Sequence, residues 1–126
     1  MSEKISSFRE LKVYKEAFEL QQKIFVLTGK FPKEELYSLV DQIRRSSRSI
    51  GANLTEAWAK RRYVAHFVSK LTDADGEQLE TQHWMDTAYA CQYISKNEHR
   101  EIRSQCKEIG GMLGKMMKEP EKWCPR

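Results

Sequence analysis

One segment has the residue types and the spacing for metal chemistry, Glu80-Thr81-Gln82-His83. A carboxylate and an imidazole three positions apart project from the same side of a helix, which is how four-helix carboxylate proteins hold two metal ions. Such centres need two copies of the pair, and neither His66 nor His99 follows a Glu at that spacing. On a helical wheel Glu80 also falls roughly opposite the apolar stripe Phe67, Leu71, Met85, Tyr89, so it is expected to face away from a bundle interior. Gly110, Gly111 and Gly114 stand in a Met-rich helical stretch and not between a strand and a helix, so close helix packing explains them better than phosphate binding. Ser46, Ser47 and Ser49 have no His or Lys at a spacing that would activate a hydroxyl. The expectation is a protein with no catalytic residue, no metal site and no cofactor.

The elements that would position any site are helices. No proline occurs between Pro32 and Pro120, and β-branched runs of period two are absent, so the fold class expected is all-α, an antiparallel up-down-up-down four-helix bundle. A first helix is predicted over 8–28, ended by Gly29, and Pro32 opens a second that runs to about Arg62. A third is expected from Tyr63 to Ile94, with one long bent helix as the alternative because nothing between Lys60 and Val64 is a strong breaker. The spacing of Ser95 and Glu98 marks a capping box for the fourth, which ends before Pro120. One domain over 1–126 is expected, with its core at about 8–118 and a short tail at 119–126.

The chain has 126 residues, of which 40% are hydrophobic and 32% charged, enough for one core. No apolar run approaches the ~18 to 20 residues that cross a bilayer, and Met1-Ser2-Glu3-Lys4 leads into no signal-type stretch, so a cytoplasmic protein without membrane contact is expected. Cys91, Cys106 and Cys124 match no zinc or CxxC pattern and read as reduced thiols, two of them packed as small apolar groups.

The first helix carries more apolar surface than one core requires. Val13, Ala17, Leu20, Ile24 and Leu27 form one stripe, and Leu11, Tyr14, Phe18 and Phe25 a second beside it, giving an arc of roughly 200°. The second stripe is expected to meet another copy of the chain; the alternative places Phe18 and Phe25 at the rim of a monomer core.

Charge is uneven along the chain. Residues 41–70 hold Arg44, Arg45, Arg48, Lys60, Arg61, Arg62 and Lys70 against Asp41 and Glu56, a balance of +5. Residues 71–90 hold Asp73, Asp75, Glu77, Glu80 and Asp86 with no Lys or Arg, a balance of −5. On one helix Arg44, Arg48 and Arg62 would share a flank of the Leu36, Val40, Ile43, Ile50, Leu54 stripe, a ridge roughly 27 Å long that could follow phosphates, with no aromatic residues interleaved. The alternatives are that Asp41 pairs with Arg45 at i, i+4 and the remaining cations are solvated, or that basic and acidic segments pair between subunits of a protein-docking scaffold.

From Phe8 to about Met117 the sequence resembles the small bacterial four-helix-bundle family first associated with intervening sequences in large-subunit ribosomal RNA genes. The segments that carry the resemblance are Phe8-Arg9-Glu10-Leu11 with Tyr14-Lys15 and Ala17; Phe31-Pro32 with Glu35; Gln42-Ile43-Arg44-Arg45, Ser49-Ile50, Ala52-Asn53 and Glu56-Ala57; and Lys60-Arg61-Arg62-Tyr63. The resemblance implies a ring-like homo-oligomer, typically a pentamer. It also implies kinship with an accessory protein of diversity-generating retroelements that binds nucleic acid and a reverse transcriptase. Residues and resemblance together lead to a non-enzymatic homo-oligomer that binds nucleic acid, RNA first, through Arg44, Arg45, Arg48, Lys60, Arg61 and Arg62.

Overall fold

A computed structural model describes residues 5–125, so the Met1–Lys4 segment lies outside the described residues. Four α-helices follow one another: α1 (Lys12–Thr28), α2 (Leu39–Ala59), α3 (Val64–Ala90) and α4 (Lys96–Lys118). Each packs on the next and α4 closes onto α1, while the diagonal pairs stay apart, which is the up-down-up-down bundle. No strand occurs among the described residues, and none of their helices is long and apolar enough to cross a membrane. The interior is filled by Leu20 and Ile24 of α1, Ile43, Ile50 and Leu54 of α2, Phe67, Leu71 and Met85 of α3, and Cys106, Ile109 and Leu113 of α4. Cys124 is also buried and Cys91 exposed, and all three thiols are free.

The helix ends show which signals govern them. The capping box at α4 forms as expected: Ser95 accepts from the Glu98 N–H, and the Glu98 carboxylate accepts from the Ser95 N–H. The first helix is split, because Leu11 is extended and separates a 3-10 turn at Phe8–Glu10 from α1. Pro32 does not open α2. It stands in extended backbone before a 3-10 turn at Lys33–Glu35, and α2 begins only after Ser38. The α2–α3 boundary is a real break and not a bend, with Tyr63 extended (φ −118°, ψ 110°) and its N–H bonded to the Lys60 carbonyl. α3 ends at Ala90, short of Ile94, since Gln92 takes φ 64° and the Gln92 and Tyr93 amides close back onto the Tyr89 and Ala88 carbonyls. That is the hydrogen-bond pattern of a Schellman cap, made here without glycine.

Several expected core positions move. Leu36, in the turn before α2, is exposed, and so is Tyr89, whose ring stacks on His99 at 4.7 Å. Leu11, expected on the stripe facing a second copy, is 3% exposed and belongs to the protomer's own core. Tyr14 is half-buried between Phe8 and Phe18, whereas Phe18 and Phe25 remain 47% and 45% exposed. Of the α4 glycines only Gly110 lies against a neighbour, since a Cβ there would stand 2.7 Å from Gln78 Nε2, while Gly111 and Gly114 face open space. Ser46 and Thr81 are small buried residues where α2 meets α3, and their hydroxyls lie 2.9 Å apart.

Candidate nucleic-acid interface

The first half of α2 turns its apolar side inward through Val40, Ile43 and Ile50, which leaves Arg44, Arg45 and Arg48 on its outer flanks. Arg44 is fixed by the protomer. Its Nε donates to Thr28 Oγ1 at 2.9 Å and one Nη to the Phe25 carbonyl at 3.2 Å, with the guanidinium 4.5 Å over the Phe25 ring. Arg48, one turn on, also faces that ring at 5.8 Å and has no hydrogen-bond or carboxylate partner among the described residues. The Phe25 ring therefore lies beside two cations, joining the apolar strip of α1 to the basic flank of α2.

Arg45 behaves differently. It does not pair with Asp41 one turn away; it reaches across to α3, bonding the Glu80 carboxylate and approaching Glu77 at 3.8 Å. The close α2–α3 seam brings those two carboxylates within reach. Glu80 also accepts from the Trp84 indole at 3.0 Å. The indole N–H and then Arg45 hold its carboxyl below the usual range, while burial raises that of Glu77, whose Oε1 is enclosed without a hydrogen-bond partner. Glu80 thus stays outside the bundle interior and leans along its surface toward α2. His83 meets the edge of Trp84 at 4.8 Å, and no group of three His, Cys, Asp or Glu side chains that could hold a metal occurs among the described residues.

Lys60, Arg61 and Arg62 lie beyond the end of α2, in the turn to α3, so no single helical flank runs from Arg44 to Arg62. Arg61 covers the Trp58 indole at 3.5 Å, donates from Nε to the Trp58 carbonyl at 2.9 Å and touches the Trp123 carbonyl at 3.5 Å. It closes the C-terminus of α2, where a cation also opposes the helix dipole. Arg62 lies 5.8 Å over Tyr63, and both it and Lys60 are exposed.

The two charged segments differ in how far the protomer satisfies them. In the acidic one, Asp73 meets Lys70 at 3.7 Å, Glu77 and Glu80 meet Arg45, Asp86 meets His99 at 2.7 Å, and Asp75 accepts from Gln78 at 3.0 Å. In the basic one only Arg45 and Lys70 find carboxylates, the latter on Glu56 at 3.0 Å and Asp73. Arg44, Arg48, Lys60, Arg61 and Arg62 have none among the described residues.

Aromatic residues accompany these cations, contrary to the reading of a ridge without them. Besides Phe25 and Tyr63, Tyr37 shares with Leu36, Val40, Asp41, Arg44, Arg45, Arg48, Ser49 and Ala52 an open groove of about 570 Å³. The i, i+7 spacing of Tyr37 and Arg44 hinted at a shared side, but Tyr37 sits in the turn before α2 and not on the helix.

The model described as 23S rRNA-intervening sequence protein matches residues 9–115. A crystal structure from Bacteroides thetaiotaomicron, described as a protein with unknown function from the S23 ribosomal protein family, superposes with a TM-score of 0.76 at 28% identity, covering 84% of this chain and 95% of that one. A comparison with curated proteins returns no match. With a family model spanning most of its length and a bundle that superposes on a solved relative, the chain belongs to the 23S rRNA-intervening sequence protein family.

Proposed function

We propose that this non-enzymatic bundle binds nucleic acid, RNA foremost, through the cations that its own fold leaves without carboxylates. The observation that carries this reading is the asymmetry of pairing. Acidic residues of α3 are engaged inside the protomer, so they are poorly placed to neutralise the basic segment of another subunit, and Arg48, Lys60 and Arg62 remain for phosphate. The family's association with ribosomal RNA intervening sequences supports RNA as the first ligand to try. Self-association, with five subunits as the expectation, belongs to the same proposal. Phe18, Phe25 and Val26 remain exposed on α1, and burying them in a second copy would multiply the basic surface.

The test is binding of unrelated RNA and DNA oligonucleotides from low to physiological salt, with light scattering for subunit number. Arg48→Ala, Lys60→Ala and Arg62→Ala are combined and Arg44 is spared, because it also ties α2 to α1. The parent's affinity falls steeply with salt, each phosphate contact contributing a log-log slope of about −0.7 to −0.9, and the triple variant loses up to three contacts' worth of slope. An unchanged slope in the variant removes these residues as the site. A monomer in light scattering removes the oligomer.

A further inference from the structure

Tyr37 is 91% exposed, and the turn that carries it is anchored. The Glu35 carboxylate accepts from the Ser38 hydroxyl at 2.7 Å and from the Tyr93 phenol at 2.8 Å, and the Tyr93 ring packs on buried Phe31 at 5.3 Å. The Ser38 and Leu36 amides bond back to the Glu35 and Lys33 carbonyls. An aromatic ring is thus held out in solvent on a rigid support, beside half-exposed Leu36, at one end of the groove whose wall carries Arg44, Arg45 and Arg48.

We propose that this groove takes single-stranded nucleic acid, with an unpaired base stacked on Tyr37 and the adjoining phosphates met by Arg44 and Arg48. The inference rests on the nucleic-acid reading above and specifies its substrate class. Arg44 and Arg48 stand one turn apart, about 6 Å along the helix axis. The Phe25 ring beneath it, the Thr28 hydroxyl and the Phe25 carbonyl hold Arg44 in place before a ligand arrives, so little of its side-chain freedom is lost on binding, while exposed Arg48 faces the same ring at 5.8 Å and presents its guanidinium to phosphate. Arg45 is drawn aside to Glu80, which assigns phosphate contact to its two neighbours. A duplex hides its base faces in its own stack and gives Tyr37 nothing to cover, whereas a single strand offers both base faces and backbone. An acidic peptide would satisfy the arginines but leave the ring without a flat partner.

The test measures fluorescence anisotropy of a labelled, unstructured RNA strand, its DNA counterpart and a duplex of equal length, at low salt, for the parent, Tyr37→Ala and Tyr37→Phe. The parent binds the single strands more tightly than the duplex. Tyr37→Ala weakens single-strand binding by about 5- to 100-fold and leaves the duplex where it was, and Tyr37→Phe, which keeps the ring, binds as the parent does. Equal losses for strand and duplex, or no loss for the strand, overturn the stacking role while leaving phosphate binding by the cations intact. No binding of any nucleic acid at low salt overturns both readings together. Polyglutamate competing as well as the strand assigns the groove to an acidic protein, and a changed light-scattering mass for Tyr37→Ala makes it a subunit contact; either result overturns the proposal.

Discussion

Helix α4 lies between two neighbours that it meets in different ways. Against α3 the backbone at Gly110 lies directly over Gln78, which is enclosed, donates to Asp75 at 3.0 Å and accepts from Gln82 at 2.8 Å. Against α1 the contacts are long side chains: Lys23 reaches Glu101 at 3.0 Å and Gln105 at 3.4 Å, and Gln105 donates to the Glu16 carbonyl at 3.4 Å. An open groove of about 540 Å³ with Val26, Leu27 and Ile102 in its walls runs along that seam. Where a glycine lets two helices close, packing and enclosed hydrogen bonds fix their register. Where charged side chains span the outer gap, they add to the shared apolar core only exposed pairs worth less than about 1 kcal/mol each. The α1 side is therefore the more yielding edge of the bundle, and it leaves Val26 uncovered, whereas exposed Phe25 lies toward α2 under Arg44 and Arg48.

The closed seam breaks most readily at Gly110. Gly110→Leu places a side chain where even a Cβ would stand 2.7 Å from the Gln78 amide, so α3 and α4 separate or Gln78 loses its partners. A loss of about 1 to 3 kcal/mol is expected, read as a lower denaturation midpoint. The adjacent residue sharpens the contrast. Gly111 faces open space, so Gly111→Ala gains helix propensity at no steric cost and raises stability by about 0.8 to 1 kcal/mol in the same measurement. Equal effects at the two positions would mean that α3 and α4 are not in close contact at Gly110.

How much of this was legible in the sequence depends on how local each signal is. The α4 start was readable because Ser95 and Glu98 carry the whole signal within four residues. The α3 end was not, because Gln92 adopts a left-handed conformation in which glycine is the usual marker, and the α2–α3 break has no glycine or proline at all. Within the candidate site, the surplus of positive charge was plain from composition. The fate of each charge was not. Asp41 is the nearest carboxylate to Arg45 in sequence, yet Glu80, thirty-five residues away, takes it once α2 and α3 pack. Periodicity also put Leu36 on a buried stripe, which presumed a helix where the chain forms a turn, and that difference is what presents Tyr37 to solvent. Of the three glycines read as packing residues, burial of a partner side chain distinguishes Gly110, and nothing in their own spacing does.

The smallest effect is expected in the open seam, at Glu16. This α1 carboxyl faces Glu108 of α4, and sharing a proton with it, followed by partial burial and mutual repulsion, raises the Glu16 pKa above its ordinary 4.5. The sign follows from proton binding. In the window between the ordinary and the raised value the folded state holds more protons than the unfolded one, so this pair makes the protein more stable as pH falls through that window. At neutral pH the repulsion that Glu16 feels from Glu108 opposes closure of α1 onto α4. Glu16→Gln removes that repulsion and should raise stability by about 0.2 to 0.5 kcal/mol near neutrality, a gain that fades as Glu16 of the parent becomes protonated. Urea denaturation of both proteins at neutral pH and at a pH below 4.5 reads the effect. An advantage of the same size at both pH values would place it in side-chain packing, and the α1–α4 seam would then not be held open by charge.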